Sequence, residues 1–142
     1  MDQRISLVTL GARDPEALAA FYEALGWTRV DSPDGVIAFD LIGQTLGLYP
    51  LNKLAEDIGV PVETLGRGAS TFSHNVDSAD AVRALVTRAH DAGARILRDP
   101  SEVFWGGFIA YFADPEGHIW EVAHNPFSAL GPNGAVRWNG YG

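Results

Sequence analysis

The sequence predicts an α+β fold made of two copies of one β-α-β-β-β module, and three observations support this. Two amphipathic helical segments each begin at a capping residue and end at a glycine. A short strand-like segment precedes each helix, and three more follow it. An internal duplication of this kind indicates architecture more strongly than any single strand does.

The first module is predicted over residues 4–50. A strand at 4–11 leads into Asp14-Pro15, a capping side chain followed by proline at the first helical position. The apolar stripe of the helix, at spacings of three and four, is formed by Leu18, Phe21, Tyr22 and Leu25. Gly26 is expected to end the helix. The remaining strands of this module are predicted at 28–31, 36–42 and 44–49.

The second module is predicted over residues 70–126 and repeats this order. A strand at 70–76 precedes a helix that begins at Ser78 and ends at Gly93. Its later strands are predicted at 95–98, 108–113 and 118–123, with residues 114–117 as a hairpin turn. The linker between the modules covers 51–69, with a short helix at 51–58, and a tail rich in Gly and Pro covers 127–142.

Composition excludes several classes of protein. A chain of 142 residues with 46% hydrophobic and 20% charged residues fits one globular domain. The absence of cysteine excludes disulfides, thiolate zinc sites and a cysteine nucleophile. A net charge of −8 disfavours nucleic acid and mildly favours a cationic ligand. Neither a signal pattern nor a membrane-length apolar run is present, so we expect no membrane partner and a cytoplasmic location.

Two motifs carry a family resemblance. Arg13-Asp14 leads into Phe21-Tyr22, and Asp114-Pro115-Glu116-Gly117-His118 precedes a last strand that bears Glu121. With the duplicated modules, these motifs resemble the vicinal oxygen chelate superfamily of glyoxalases, extradiol dioxygenases and bleomycin-resistance proteins, over residues 4–126. The resemblance implies a curved mixed sheet around an open, ligand-binding cup, and a homodimer.

The resemblance also implies positions for a metal. Members with metal chemistry take ligands from the first and last strands of each module, which correspond here to Leu7, Gly47, Thr71 and Glu121. Only Glu121 is a strong ligand, whereas such a site needs about three protein ligands. We therefore expect no metal, the alternative being one divalent metal at a rearranged site. By strand alternation, His74 is expected to be a core residue.

A four-residue hairpin would pair Ala113 with His118 and Ala110 with Glu121, which places two phenylalanines beside Glu121. The predicted ligand-binding residues are Thr9, Tyr49, Thr71, Ser73, Asn75, Phe104, Trp105, Phe108, Phe112 and Glu121. Phe104 and Trp105, next to two glycines, would either stack on a flat ligand or fill the end of the barrel as core.

These features predict metal-independent binding or sequestration of a small molecule. The ligand is expected to be aromatic, because aromatic residues of the predicted site could stack on it, or cationic, because no basic residue is predicted on the face of Glu121. The first alternative is a glyoxalase-like lyase, isomerase or dioxygenase that uses a rearranged metal site, or Glu121 as catalytic acid or base. The second is a partner-binding module whose cup is filled by side chains.

Overall fold

Each half of the chain forms its own sheet with a helix packed on it. The structure, a computed structural model, describes residues 1–32, 35–66 and 69–141. The chain divides into two compact units, Met1–Gly68 and Ala69–Gly142. Both sheets are mixed, and the α+β class is confirmed.

The N-terminal unit has a three-stranded sheet in the order β1-β3-β2. Strand β3 runs parallel to β1 and antiparallel to β2. The elements are β1 (Leu7–Ala12), α1 (Pro15–Ala24), β2 (Ile37–Asp40), β3 (Thr45–Pro50), α2 (Leu51–Ile58) and a 3₁₀ turn at Val62–Thr64. The predicted linker helix is thus confirmed as α2.

The C-terminal unit has a four-stranded sheet in the order β4-β7-β6-β5. Strand β4 is parallel to β7, and the other pairs are antiparallel. The elements are β4 (Phe72–Asn75), α3 (Ala79–Asp91), β5 (Arg95–Glu102), β6 (Phe108–Ala113), β7 (Ile119–His124) and a 3₁₀ turn at Pro132–Gly134. None of the helices in the described ranges is long and apolar enough to cross a membrane.

Both main helices begin and end where their sequences predict. The Asp14 side chain accepts a hydrogen bond from the Ala17 amide at 3.0 Å, and Ser78 Oγ accepts one from the Ala81 amide at 3.1 Å. Each bond satisfies an amide that the first helical turn leaves without a partner. Gly26 and Gly93, just past the helix ends, have φ of +103° and +112°, which glycine adopts without steric cost.

The core of each unit lies between its sheet and its main helix. In the N-terminal unit, Leu18 and Tyr22 of α1 and Phe39, Leu46 and Leu48 of the sheet are at most 2% exposed. In the C-terminal unit the corresponding core is formed by Val82, Val86 and Ala89 of α3 with Ala110, Phe112, Trp120 and Val122 of the sheet. The helical stripes therefore face the sheets as predicted.

The predicted strand at 28–31 is wrong. Only a single bridge forms there, between Val30 and Ala38. The preceding residues pack on α1 instead: the Trp27 ring stacks on Tyr22 with centroids 4.9 Å apart, and Arg29 Nε lies 2.6 Å from a Glu23 carboxylate oxygen. These contacts hold the segment against the helix, so it does not extend the sheet.

The hairpin between β6 and β7 is one residue longer than predicted. Asp114 is 3% exposed, and its Oδ1 accepts hydrogen bonds from the amides of Glu116 and His118, both at 2.9 Å. These bonds keep His118 in the turn, so the first ladder pair is Ala113 with Ile119 and not Ala113 with His118. A shift of one residue moves every following side chain to the other face of the sheet.

Candidate functional site

A row of polar residues crosses all four strands of the C-terminal sheet. Ser73 on β4 is the Cα partner of Glu121 on β7, and Glu121 is the partner of Tyr111 on β6. Tyr111 is in turn the partner of Arg98 on β5. Directly opposed residues on neighbouring strands project to the same face of a sheet. We call Ser73, Glu121, Tyr111 and Arg98 the polar row.

Glu121 is the hydrogen-bond centre of this row. Ser73 Oγ donates to Glu121 Oε1 at 3.0 Å, and the Tyr111 hydroxyl donates to Oε2 at 2.6 Å. Hydrogen bonds to a carboxylate are shorter and stronger than those between neutral groups. Each carboxylate oxygen can accept two bonds, so each keeps capacity for a further donor. The arrangement orients the carboxylate and leaves it able to bind a ligand.

Two features of the row were missed by the sequence analysis. Tyr111 was not among the predicted ligand-binding residues, because the assumed hairpin, one residue too short, placed it on the other face. The prediction that no basic residue lies on this face is also wrong, because Arg98 lies opposite Tyr111. Irregularities between Ile96 and Arg98, and between Arg98 and Ser101, shift the β5 register. Without the first shift, Arg98 would oppose Ala110 on the other face.

The Glu121 hydrogen bond raises the pKa of Tyr111 above its ordinary value of 10.0. Partial burial and the negative charge of Glu121 raise it further, while the positive charge of Arg98 lowers it. The folded chain therefore holds the phenol proton more tightly than the unfolded chain does. This contribution to stability is present in full below a pH of about 10 and is lost as the pH rises through the raised pKa.

We expect Tyr111 to ionise at a higher pH than an ordinary tyrosine. Ultraviolet difference titration of the wild-type protein against Tyr111→Phe isolates this group from the other tyrosines. Glu121→Gln should bring the Tyr111 transition down toward the ordinary value, because it removes the charged acceptor. An unshifted transition in the wild-type protein would contradict the hydrogen bond between the two side chains.

Phe108 and Phe112 do not share the face of Glu121, and their predicted placement beside it is wrong. Their partners are His124 and Trp120, on the face that packs against α3. The Cζ atom of Arg83, a residue of α3, lies 4.5 Å from the centroid of the Phe108 ring. The longer turn at Asp114 is the cause of this exchange of faces.

Phe104 and Trp105 lie in the turn between β5 and β6 and are not core. Phe104 is fully exposed, and Trp105 is 41% exposed. The Trp105 ring lies over Gly107, where an added Cβ would fall 1.9 Å from Cη2 of the indole. The alternative in which these aromatics fill the end of a barrel is therefore wrong. Their stacking on a ligand stays a prediction.

The remaining predicted residues lie on the faces that strand alternation assigned. Asn75 is the partner of Ala123, two residues along β4 from Ser73, and Thr71 directly precedes β4. In the N-terminal unit, Thr9 is the partner of Gly47.

Tyr49 lies at the end of β3, beside α2. Burial, and then the neighbouring Asp57 carboxylate, which also accepts its hydrogen bond, raise the pKa of Tyr49. These placements leave the role of Tyr49 in ligand binding as a prediction.

The residues at the implied metal positions do not fit a metal. Leu7 Cδ1 would lie 3.4 Å from a Cβ added at Gly47, so two of these positions pack against each other without any side-chain donor. Glu121 already accepts two hydroxyl hydrogen bonds. Across the described ranges, no three His, Cys, Asp or Glu side chains form a group that could hold a metal ion. His74, predicted to be core, is exposed on the outer strand β4.

The fold and motifs agree with one family. The family model of the Glyoxalase/Bleomycin resistance protein/Dioxygenase superfamily matches residues 4–122. The chain belongs to this superfamily. The resemblance predicted from the duplicated modules and the Asp114–Glu121 motif is confirmed.

Solved structures of superfamily members resemble this chain over nearly its whole length. A glyoxalase-related enzyme from Fulvimarina pelagi has a TM-score of 0.87 and 36% identity, covering 96% of this chain and 98% of its own. A glyoxalase/bleomycin resistance protein/dioxygenase family enzyme from Burkholderia phytofirmans PsJN has a TM-score of 0.75 and 25% identity. The match covers 85% of this chain and 98% of that enzyme's chain.

A third solved structure resembles this chain in its fold alone. Lactoylglutathione lyase from Agrobacterium tumefaciens has a TM-score of 0.66 and 23% identity, covering 88% of this chain and 96% of its own. A comparison with curated proteins found no match. Superfamily membership leaves open whether this chain binds or transforms its ligand.

Proposed function

We propose that the protein is a metal-independent small-molecule-binding member of the superfamily, with its ligand on the polar row of the C-terminal sheet. The proposal rests on the hydrogen bonding of the Glu121 carboxylate. Two protein hydroxyls orient it, and it keeps acceptor capacity for a ligand donor. A few polar groups of fixed direction, set among apolar neighbours, are what a small-molecule site needs.

The apolar neighbours of the proposed site are residues that flank Glu121 and Tyr111 on the same face of β6 and β7. Ile109 and Ala123 form one opposed pair beside Glu121, and Ala113 and Ile119 form the pair on its other side. Ile109, Ala113 and Ala123 are buried, whereas Glu121 and Tyr111 are half-buried and the outer members of the row are exposed. A ligand that reaches the half-buried carboxylate from solvent would lie against the half-buried side chains of Tyr111 and Ile119.

Metal independence rests on the donor set. Leucine and glycine stand at two implied ligand positions, and one carboxylate cannot hold a divalent cation that needs about three protein ligands. The carboxylate that remains is used in hydrogen bonds. We therefore assign Glu121 to ligand recognition.

The decisive experiment is a binding screen with neutral, cationic and anionic aromatic compounds. Hits from thermal shift are measured by calorimetry on the wild-type protein and on Glu121→Gln. We expect Glu121→Gln to weaken binding by about 10- to 100-fold, because a hydrogen bond to a charged group is lost. Chelation with EDTA should leave the wild-type affinity unchanged.

Glu102→Gln is the matched control. Glu102 is an exposed carboxylate on β5 whose partner, Phe108, belongs to the face packed on α3. This variant removes the same charge and should bind every hit as the wild-type protein does. Hits that bind Glu121→Gln equally well would place the site elsewhere, and loss of binding after chelation would refute metal independence.

The alternative function is acid–base catalysis by Glu121, whose carboxylate is held in a fixed direction by two hydroxyl hydrogen bonds. In it, Glu121 would take a proton from a carbon of the ligand, while the Ser73 and Tyr111 hydroxyls hold the carboxylate in position. Incorporation of solvent deuterium into a C–H bond of a bound compound, detected by NMR, would support this function over binding alone. The homodimer and the cytoplasmic location stay predictions.

A further inference from the structure

Arg98 is the second charged residue of the polar row, after Glu121. Neighbouring strands are about 4.8 Å apart, so Arg98 and Glu121, separated by β6, have Cα atoms about 10 Å apart. The formal charges of the row, one negative and one positive, cancel. A purely cationic ligand would meet Arg98 as well as Glu121, so this row does not favour it.

The guanidinium of Arg98 is available to a ligand. Arg29, for comparison, binds both Glu16 and Glu23. Within residues 1–32, 35–66 and 69–141, no hydrogen bond or ion pair engages the Arg98 side chain, which is exposed. Its five N–H donors therefore remain for solvent or for an acceptor brought by a ligand.

We propose that the ligand is a small organic acid that also carries an N–H or O–H donor, with its carboxylate on Arg98 and its donor on Glu121. This inference rests on the proposed function and names the ligand class. The planar guanidinium binds a carboxylate through two parallel hydrogen bonds, which a neutral amide cannot match in strength.

The net charge of −8 does not prevent this binding. At physiological salt, charges more than about 8 Å away are largely screened, so the nearest groups decide the local preference. Next to Arg98, the nearest members of the row are the neutral phenol of Tyr111 and then Glu121. Arg98 and Glu121 thus favour a molecule that carries an anionic group and a hydrogen-bond donor.

The test uses matched pairs of acids and primary amides. Suitable probes are 4-aminobenzoate with 4-aminobenzamide, 4-hydroxybenzoate with 4-hydroxybenzamide, and tryptophan with tryptophanamide. On the wild-type protein we expect each acid to bind about 10- to 100-fold more tightly than its amide. Arg98→Gln should remove this preference by weakening the acids alone.

Arg88→Gln provides the control. Arg88 is exposed in the last turn of α3, so the variant removes the same charge away from the row and should keep the preference for acids. Equal binding of acids and amides to the wild-type protein, an unchanged preference in Arg98→Gln, or no binding of any probe would overturn the inference. If neutral or cationic hits still depend on Glu121 in that case, the proposed function stands without it.

Discussion

Phe39→Ala is expected to lower the free energy of unfolding by about 3–5 kcal/mol. Phe39 is 1% exposed on β2, and its ring centroid lies 6.1 Å from that of Tyr22 and 5.6 Å from that of Trp27. The substitution removes apolar contacts and leaves a cavity between the sheet and α1. Urea unfolding followed by far-ultraviolet circular dichroism measures the change.

Phe104→Ala is the matched control, since Phe104 has the same side chain but is 102% exposed. Its removal should change the free energy of unfolding by no more than about 0.5 kcal/mol. A loss in Phe39→Ala no larger than the loss in Phe104→Ala would show that the ring cluster of Phe39, Tyr22 and Trp27 does not form.

Asp114→Ala is expected to lower the free energy of unfolding by about 2–5 kcal/mol. The Asp114 carboxylate is buried in the β6–β7 turn and accepts hydrogen bonds from the amides of Glu116 and His118. Alanine leaves both amides without this acceptor in a turn that sets the strand register. The same urea titration measures the loss.

Two variants separate the acceptor role of Asp114 from its charge. Asp114→Asn keeps an oxygen in position and should recover most of the lost stability, whereas Asp99→Ala removes an exposed carboxylate and should have little effect. If Asp114→Asn is as unstable as Asp114→Ala, charge rather than the amide hydrogen bonds stabilises the turn.

Local signals predicted most of the elements. Asp14 and Ser78 cap their helices, Gly26 and Gly93 follow the helix ends, and α2 occupies the predicted residues. These features depend on neighbours within a few residues, so they can be read without the fold. The segment at 28–31 was mispredicted because Trp27, just before it, and Arg29, within it, contact residues of α1, which strand propensity does not consider.

The candidate site was predicted only in part. Glu121 and Ser73 were assigned to one face, and their side chains are joined by a hydrogen bond. Tyr111 and Arg98 were missed, while Phe108 and Phe112 were assigned to the wrong face. Each of these errors follows from a shift of one residue in the pairing, at the Asp114 turn or at the irregularity in β5.

By itself, the sequence determined the α+β class, the superfamily and the fact that Glu121 is the single strong ligand among the implied metal positions, since caps, periodicity and residue type are local properties. Only the tertiary structure decided which side chains meet around Glu121. Strand register depends on turn hydrogen bonds and bulges, and a single extra residue reverses the face of every side chain beyond it. The charge balance of the polar row, and with it the ligand class that we propose, follows from that register.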